Sequence, residues 1–172
     1  MEGCVALNIV LIEPEIPQNT GNIVRTCAAL GATLHLVHPL GFSLDEKHLK
    51  RAGLDYWPKL MLVEWPDTAT FFKEKGGAHL YYFTTKAPRS YTMVNYPEEV
   101  YFLFGKESAG LDEALLAQAP ERCLRIPMRE EIRSLNLSNS VAIAAYEWER
   151  QRTFEGLQQS GALSRLAYKE IS

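Results

Sequence analysis

Short runs of apolar, β-branched or aromatic residues recur along the whole chain, and longer stretches with helical spacing separate them. The runs lie at residues 7–12, 34–38, 60–64, 80–84, 100–104 and 123–126. The clearest helical pattern has apolar residues at i, i+4, i+7, i+8 and i+11: Leu137, Val141, Ala144, Ala145 and Trp148. Strands that alternate with helices predict an α/β fold with a mostly parallel sheet. The near-continuous apolar run at 100–104 predicts that helices cover both faces of this sheet.

The chain is long enough for one domain with a core of its own. It has 172 residues, of which 47% are apolar and 23% are charged, and a chain of this size buries roughly two-thirds of its unfolded surface. These values exclude a disordered chain, a collagen and a small disulfide scaffold. We expect a single domain over residues 1–155, and we expect the polar residues 156–172 to form a peripheral helix or a frayed tail.

Charge and cysteine content limit the partners and the compartment. The 18 basic and 21 acidic side chains give a net charge of −3, so an RNA site would have to be a local patch. Cys4, Cys27 and Cys123 show no CxxC spacing, which disfavours a zinc site or a disulfide framework and favours the reducing cytoplasm. Glu2 stands where a signal peptide carries a basic residue, and no apolar run reaches the roughly 18 residues of a membrane span. We therefore expect a soluble cytoplasmic protein with no membrane partner.

Several common enzyme motifs are absent from the sequence. Residues 105–110 carry two glycines, but Leu111 and Asp112 follow where a phosphate-binding P-loop needs Lys and Ser or Thr. There is no GxGxxG after the first predicted strand, no HExxH and no GxSxG. The four histidines are scattered, and we expect His35 and His38 to be structural or surface residues. A dinucleotide enzyme, a metal enzyme and a triad hydrolase are therefore disfavoured.

Three polar segments stand out, and the first follows the first predicted strand at residues 13–25. Two prolines stiffen this loop, and Asn19 or Thr20 is predicted to cap a helix that begins near Gly21. Arg25 would then lie one turn inside the helix, near the carboxyl edge of the sheet, where open α/β sheets bind ligands. A well-capped helix with a surface arginine would give the same pattern.

The second segment, residues 102–111, joins a buried strand to the next helix. Gly105 is predicted to let the backbone approach a ligand closely, and Gly110 is predicted to allow a tight turn. Glu107 would then be a carboxylate in a cleft. An ordinary strand–turn–helix with a solvated glutamate is the alternative for this segment.

The third segment, residues 124–140, is rich in short polar side chains. Five of them lie within seven residues: Ser134, Asn136, Ser138, Asn139 and Ser140. Such residues are poor in a helix interior but good at a helix start and in a ligand-binding loop. Because capping uses only one or two of them, the five, beside Arg129 and Arg133, favour a binding site before a helix that begins at Ser138.

Taken together, the three segments resemble a known family. NTGNIVRT, FGKESAGL and IPMREEIRSLNLSNS, in this order and at these separations, are typical of the SPOUT methyltransferases. More narrowly, LIEPEIPQNTGNIVRTCA, HLVHPLGFSLDEKHLKRAGLDYW and SLNLSNSVAIAAYE resemble the small TrmL-like, or YibK-like, tRNA 2′-O-methyltransferases. The resemblance runs from about Leu7 to Arg152 and covers most of the chain.

The resemblance implies a fold, a cofactor and a substrate. The C-terminal segment of the sheet domain would form a deep trefoil knot, a rare exception to unknotted topology. The knot would build a pocket for S-adenosylmethionine, and the family's ligand positions correspond to Phe83, Gly105, Ile126, Ser134 and Asn136, of which the last two would hold cofactor and nucleotide. The substrate would be the ribose 2′-oxygen of the wobble pyrimidine, position 34, in certain tRNAs. Neither DNA nor a metal is expected to take part.

The implied chemistry assigns roles to four more residues. Ribose 2′-O-methylation gains most from orientation and electrostatics. Since an arginine stays protonated near neutral pH, Arg25 is interpreted as a phosphate holder and alkoxide stabiliser that relays the proton through phosphate or water. Asn19 and Asn22 would orient the ribose or the loop, and Glu107 would orient an arginine or a substrate group.

The resemblance also implies an assembly, because members of the family are usually homodimers with the active site near the subunit interface. A two-fold dimer is the commonest closed arrangement. A single chain of net charge −3 has little room for a large basic surface. Pairing of two chains would bring together the basic groups of both: Lys47, Lys50, Arg51, Arg129 and Arg133.

Three other functions stay open on the sequence alone. A noncatalytic knotted module would bind RNA without binding the cofactor. An α/β enzyme that acts on a small nucleotide would show no salt-sensitive binding of tRNA. The same methyl transfer could also act on another nucleotide of tRNA or on rRNA.

Overall fold

The computed structural model describes residues 6–44 and 60–166, and its strands and helices alternate along the chain. The strands are β1 (Ala6–Ile12), β2 (Thr33–Val37), β3 (Met61–Trp65), β4 (Leu80–Phe83), β5 (Glu99–Phe104) and β6 (Cys123–Leu124). The helices of these ranges are α1 (Pro17–Leu30), α2 (Thr68–Lys75), α3 (Glu113–Gln118) and α4 (Leu137–Gln151). The strands form one sheet in the order β3-β2-β1-β5-β4-β6, and all neighbouring strands are parallel. The predicted parallel α/β fold is confirmed.

Helices cover both faces of this sheet, and the alternation of side chains along β1 shows how. Successive residues of a strand point to opposite faces. Ile9 belongs to a buried cluster with α1 and α4, including Val141. Val10 belongs to a second cluster with Phe71 of α2 and Leu116 of α3. The apolar sequence of the central strands follows from burial on both sides.

All six predicted strands form, but the last is shorter than predicted. β6 contains only Cys123 and Leu124, whereas the apolar pattern predicts a strand over 123–126. Arg125 keeps one parallel bridge to Ser90. The chain then reaches Pro127, which has no N–H to donate to a neighbouring strand.

The predicted cap of the first helix is wrong. α1 begins at Pro17, directly after Ile16, and no side chain caps it. Asn19 and Thr20 instead lie in the first turn of the helix, where both are buried. A proline at the first helical position already has a suitable φ, and the N–H that it lacks would have had no partner within the helix, so the helix begins there without a polar cap.

The C-terminal region differs from the prediction in smaller ways. α4 begins at Leu137 rather than at Ser138, and Asn136 is its cap residue. Of the tail, residues 156–166 contain no helix, and residues 167–172 lie outside the described ranges. None of the helices in the described part of the chain is long and apolar enough to cross a membrane.

A polar chain crosses four strands on the α2 side of the sheet. The Trp65 indole N–H donates to His35 Nδ1 at 3.0 Å, so the ring proton lies on Nε2, which is 3.0 Å from Asn8 Oδ1. The Asn8 amide then donates to the carbonyl of Val100 at 3.1 Å. Burial, with a smaller contribution from the charge of Lys75, lowers the pKa of His35 to about 4. His35 is therefore a neutral structural residue, as expected from the sequence.

The His35 environment predicts a loss of stability in mild acid. Between the ordinary pKa of 6.5 and the lowered value of about 4, the unfolded chain binds a proton that the folded chain does not, so the free energy of unfolding falls as the pH drops. The full loss is roughly 3 kcal/mol. Urea unfolding from pH 7 to pH 4 should show a flatter pH dependence for His35→Gln, which keeps one donor and one acceptor but does not titrate. Equal slopes for His35→Gln and the parent chain would contradict the assignment, and the exposed His79→Gln is the control.

Candidate functional site

The carboxyl ends of four strands meet at one edge of the sheet and surround a cavity of about 470 Å³. From β1 the chain moves outward to β2 and β3 on one side, while β5, β4 and β6 lie on the other. The gap between the loops after β1 and β5 is therefore the winding-reversal point, or topological switch point, where the direction in which successive strands are added to the sheet reverses. Open α/β sheets bind ligands at such points. The cavity is lined by residues 83–86, 104–111 and 134–137, together with Ile16, Asn19, Ile126, Met128 and Ser140.

Reciprocal hydrogen bonds join the loops after β1 and β5. The backbone N–H of Glu15 donates to Glu107 Oε2 at 2.8 Å, and the N–H of Ile16 donates to Oε1 at 3.3 Å. In return, the N–H and hydroxyl of Ser108 donate to the Glu15 carboxylate at 2.9 and 2.8 Å. These residues are about ninety positions apart in sequence, so their contacts fix the shape of the cleft at its winding-reversal point.

An ion pair strengthens the same junction. Lys106 Nζ lies 2.7 Å from Glu13 Oε2, and Glu13 raises the pKa of Lys106. The hydrogen bonds from Ser108 lower the pKa of Glu15. Glu13 also adopts a left-handed backbone with φ of 49°, a conformation that costs free energy in a non-glycine residue and persists where the surrounding contacts hold it.

A second chain of hydrogen bonds runs from Glu107 to the start of α4. The Asn19 side-chain amide donates to Glu107 Oε1 at 3.0 Å, and the Asn136 amide donates to Asn19 Oδ1 at 3.0 Å. Asn136 Oδ1 accepts from the N–H and the hydroxyl of Ser138 at 2.9 and 2.6 Å. The Glu107 carboxylate can only accept hydrogen bonds, and the backbone N–H of Ser138 can only donate one. Each side-chain amide between them, in Asn19 and Asn136, therefore has one allowed orientation. The three polar segments of the sequence therefore meet in one network.

The loop itself already requires a glycine at position 105, and the close approach of a ligand to this backbone stays a prediction. A Cβ at Gly105 would lie 2.1 Å from the carbonyl carbon of Gly110 and 2.3 Å from the backbone nitrogen of Leu111. The loop closes on itself through an N–H of Gly110 that donates to the Lys106 carbonyl at 2.9 Å. Gly110 has a φ of 72°, so the tight turn predicted there is confirmed.

Aromatic and aliphatic groups form one wall of the cavity. The rings of Phe83 and Phe104 stack with centroids 4.9 Å apart at an angle of 16°. Ile126 and Leu111 add aliphatic surface. An apolar lining combined with polar residues such as Ser134 is suited to a ligand with both an aromatic ring and polar substituents.

Seven of the nine predicted site residues line the cavity: Asn19, Phe83, Gly105, Glu107, Ile126, Ser134 and Asn136. Arg25 and Asn22 do not. Arg25 lies eight residues after Pro17, more than two turns inside α1 rather than one. Arg25 and Asn22 are exposed neighbours, three residues apart on the surface of that helix.

Sequence reasoning did not assign roles to Glu13, Glu15 and Ser108. Their signal in the sequence is the placement of acidic residues directly after β1 and of a serine directly after Glu107, at the two loops of the winding-reversal point. The basic residues predicted to bind RNA divide into two groups. Arg129 and Arg133 are exposed in the loop before α4, whereas Lys47, Lys50 and Arg51 lie outside the described ranges. Within those ranges, no group of three or more His, Cys, Asp or Glu side chains could hold a metal ion.

Comparison with known proteins gives one matching family model. The model describes the SpoU rRNA methylase family, and it matches residues 6–146. This range contains the whole sheet and all three polar segments.

Individual relatives match over most of their length. A protein of Escherichia coli (strain K12) named tRNA (cytidine(34)-2′-O)-methyltransferase is 44% identical over 151 residues, which cover 87% of this chain and 96% of the relative. A solved structure described as "Structural insights into the 2-OH methylation of C/U34 on tRNA" is 47% identical, has a TM-score of 0.83 and is covered over its full length, with 89% of this chain. An AdoMet-bound rRNA methyltransferase from Sinorhizobium meliloti is 25% identical with a TM-score of 0.76, over 86% of this chain and 57% of the other.

Proposed function

Since the chain belongs to the SpoU rRNA methylase family, we propose that it transfers a methyl group from S-adenosylmethionine to the ribose 2′-oxygen of the pyrimidine at position 34 in the anticodon loop of certain tRNAs. The observation that carries this proposal is the meeting of the three polar segments at one cavity. Relatives named for this reaction cover nearly the same length. The cytoplasm is the proposed location, which the free, buried Cys27 and Cys123 support.

The residues present fit S-adenosylmethionine. The cavity of about 470 Å³ falls within the usual size of small-molecule sites, roughly 300–1,000 Å³. In this proposal the wall of Phe83, Phe104 and Ile126 takes the adenine, and Ser134 and Asn136 hold the polar parts of the cofactor. The structure of an AdoMet-bound relative with the same fold supports this choice of cofactor.

The cofactor supplies an activated methyl group on a sulfonium, so the protein has to orient the ribose hydroxyl and help it lose its proton. Arg25 is proposed to hold a phosphate of the substrate and to stabilise the charge that develops on the 2′-oxygen. The proton passes to phosphate or water, because a guanidinium is not a base near neutral pH. Asn22, one turn before Arg25 on the same exposed surface of α1, is proposed to orient the ribose.

Asn19 and Glu107 are proposed to position the loops rather than to touch the reacting atoms. The Asn19 amide already bonds Glu107 and Asn136, and the Glu107 carboxylate already accepts from Glu15, Ile16 and Asn19. Asn136 is bonded on its oxygen to the start of α4. The three side chains therefore hold the floor of the cleft in one shape.

A homodimer completes this proposal, because Arg25 and Asn22 lie outside the cavity of their own chain. Tyr146, on the outer surface of α4, is 48% exposed despite its large ring. Pairing of two chains through α1 and α4 would cover this ring and bring the arginine to a site near the interface. Light scattering at micromolar concentration should give twice the mass of the 19.5 kDa chain, and a monomer mass would contradict this. The C-terminal trefoil knot is part of the same proposal.

The direct test is methyl transfer to unfractionated tRNA, followed by nuclease mapping of the product. Methylation of the ribose at position 34 is the expected result. Methylation of a base, or methylation confined to the D-arm, would refute the proposed substrate. Calorimetry with S-adenosylhomocysteine should show one site per chain, whereas an RNA-binding module without catalysis would show no heat and no thermal stabilisation.

A further inference from the structure

Four cationic side chains lie along the β6 edge of the sheet, beside the mouth of the cavity, and none of them is among the site residues discussed above. We call Lys86, Arg89, Arg122 and Arg125 the basic strip. β6 is the last strand at this edge, so no strand from residues 6–44 or 60–166 covers it. Lys86 lines the cavity, and the Arg125 guanidinium donates to the carbonyl of Thr85, another lining residue. The strip therefore begins at the mouth of the cavity.

Backbone contacts hold the strip together. The N–H of Arg125 donates to the Arg89 carbonyl at 2.9 Å, and Ser90 pairs with Arg125 in a parallel bridge. The Arg89 guanidinium donates to the carbonyl of Glu121, which is adjacent to Arg122. The guanidinium groups of Arg89 and Arg125 are thus anchored by main-chain carbonyls before any ligand arrives, which lowers the entropic cost of using them in binding.

The strip has an excess of positive charge. Two carboxylates accompany the four cations: Glu113 pairs with Lys86, and Glu121 lies 3.8 Å from Arg122. In the described part of the chain, Arg89 and Arg125 bond neutral carbonyls and form no ion pair with a carboxylate. The Glu113 side chain is 75% exposed, and an exposed pair of this kind contributes little stability, so a stronger anion can replace it.

We propose that the basic strip binds the phosphate backbone of the RNA substrate in the stem next to the loop whose nucleotide enters the cavity. Anchored guanidinium groups match phosphates through paired N–H donors, and they supply a local positive patch on a chain whose net charge is −3. Phosphate contacts set the register of an RNA on a protein without reading its sequence. This inference rests on the proposed function, because it takes RNA as the substrate.

The test compares Arg122→Gln/Arg125→Gln with the parent chain, and binding is measured apart from catalysis by the fluorescence anisotropy of labelled tRNA. Loss of two phosphate contacts should raise the Kd for tRNA roughly 30-fold at about 0.1 M salt, and it should flatten the plot of log Kd against log salt by about 1.6. The affinity for S-adenosylhomocysteine should stay close to that of the parent chain, because neither Arg122 nor Arg125 lines the cavity. Arg122→Lys/Arg125→Lys keeps both positive charges but not the paired donors, so it should restore the salt dependence and recover part of the affinity. A purely structural role of the guanidinium groups would not allow this recovery.

Matched controls separate the two proposals. Lys73→Gln/Arg165→Gln removes the same charge at exposed positions away from the cavity and should leave the Kd and its salt dependence unchanged. If Arg122→Gln/Arg125→Gln and the parent chain had the same Kd for tRNA and the same salt dependence, the proposal that the basic strip binds RNA would be wrong. This conclusion would hold whether or not the protein methylates tRNA. The proposal would also be wrong if the strip variants lost affinity for an acidic peptide but kept their affinity for tRNA. Failure of the parent chain to methylate tRNA that it binds would instead refute the proposed function.

Discussion

Arg25→Ala is expected to lower the rate of methyl transfer at saturating substrate about a hundredfold to a thousandfold, while the affinity for S-adenosylhomocysteine stays within a few-fold. The loss is of the size seen when one group that stabilises a developing oxyanion is removed. Arg25 is exposed on α1 and outside the cavity, and alanine is a better helix former than arginine, so the fold and the cofactor site should remain intact. Single-turnover transfer and calorimetry measure the two quantities separately.

Two further variants test the division between chemistry and cofactor binding. Ser134→Ala should weaken cofactor binding, because Ser134 lines the cavity, and it should slow transfer less at saturating cofactor. Gln18→Ala removes an exposed side chain from the first turn of α1 and should change neither quantity. If Arg25→Ala lost the cofactor and Ser134→Ala lost only the rate of transfer, the two roles would be reversed and our assignment would be wrong.

The parts of the fold that sequence predicted well are those that local periodicity encodes. The apolar run at 100–104 becomes the central strand β5, and the spacing of Leu137, Val141 and Trp148 becomes the buried face of α4. A strand that is buried on both faces is a short continuous apolar run, and a helix with one buried face repeats its apolar residues about every 3.6 positions, so the residues themselves carry the signal. The start of α1 was missed because a proline at the first helical position replaced the expected polar cap.

The parts that sequence could not give depend on residues that meet only after folding. Polar loops were predicted after the first and fifth strands, but nothing local shows that Ser108 donates hydrogen bonds to the Glu15 carboxylate across more than ninety positions. Gly105 lines the cavity, but the atoms that exclude a Cβ there belong to Gly110 and Leu111, a contact that no local pattern predicts. Most residues that the resemblance assigned to the site line the cavity, whereas Arg25 and Asn22 do not. The direction of the hydrogen bonds between these residues became visible only in the structure.

The fixed donor–acceptor direction of these hydrogen bonds makes Asn19→Asp the most informative isosteric change at the site. In the parent chain Asn19 Nδ2 lies 3.0 Å from Glu107 Oε1 and donates a hydrogen bond to it. The substitution replaces this nitrogen with an oxygen, which then faces the carboxylate oxygen of Glu107. Two carboxylates at this distance cannot both be ionised without a large cost, so the pair will share one proton. We expect a loss of roughly 3 kcal/mol of stability near neutral pH, since a partly buried hydrogen bond to a charged group becomes a repulsion. The shifted cleft floor should also slow methyl transfer at least about tenfold.

The sign of the pH dependence separates this explanation from a general loss of packing. A shared proton raises the pKa of the pair in the folded variant, so the variant is closest to the parent chain at low pH and loses stability relative to it as the pH rises. Urea unfolding of both chains from pH 5 to pH 8 measures this difference. Asn19→Asp/Glu107→Gln reverses the donor and the acceptor, and it should recover part of the stability and remove the pH dependence. If Asn19→Asp alone matched the parent chain at pH 8, the Asn19–Glu107 hydrogen bond would contribute nothing to the cleft, and the positioning role of both residues would have to be abandoned.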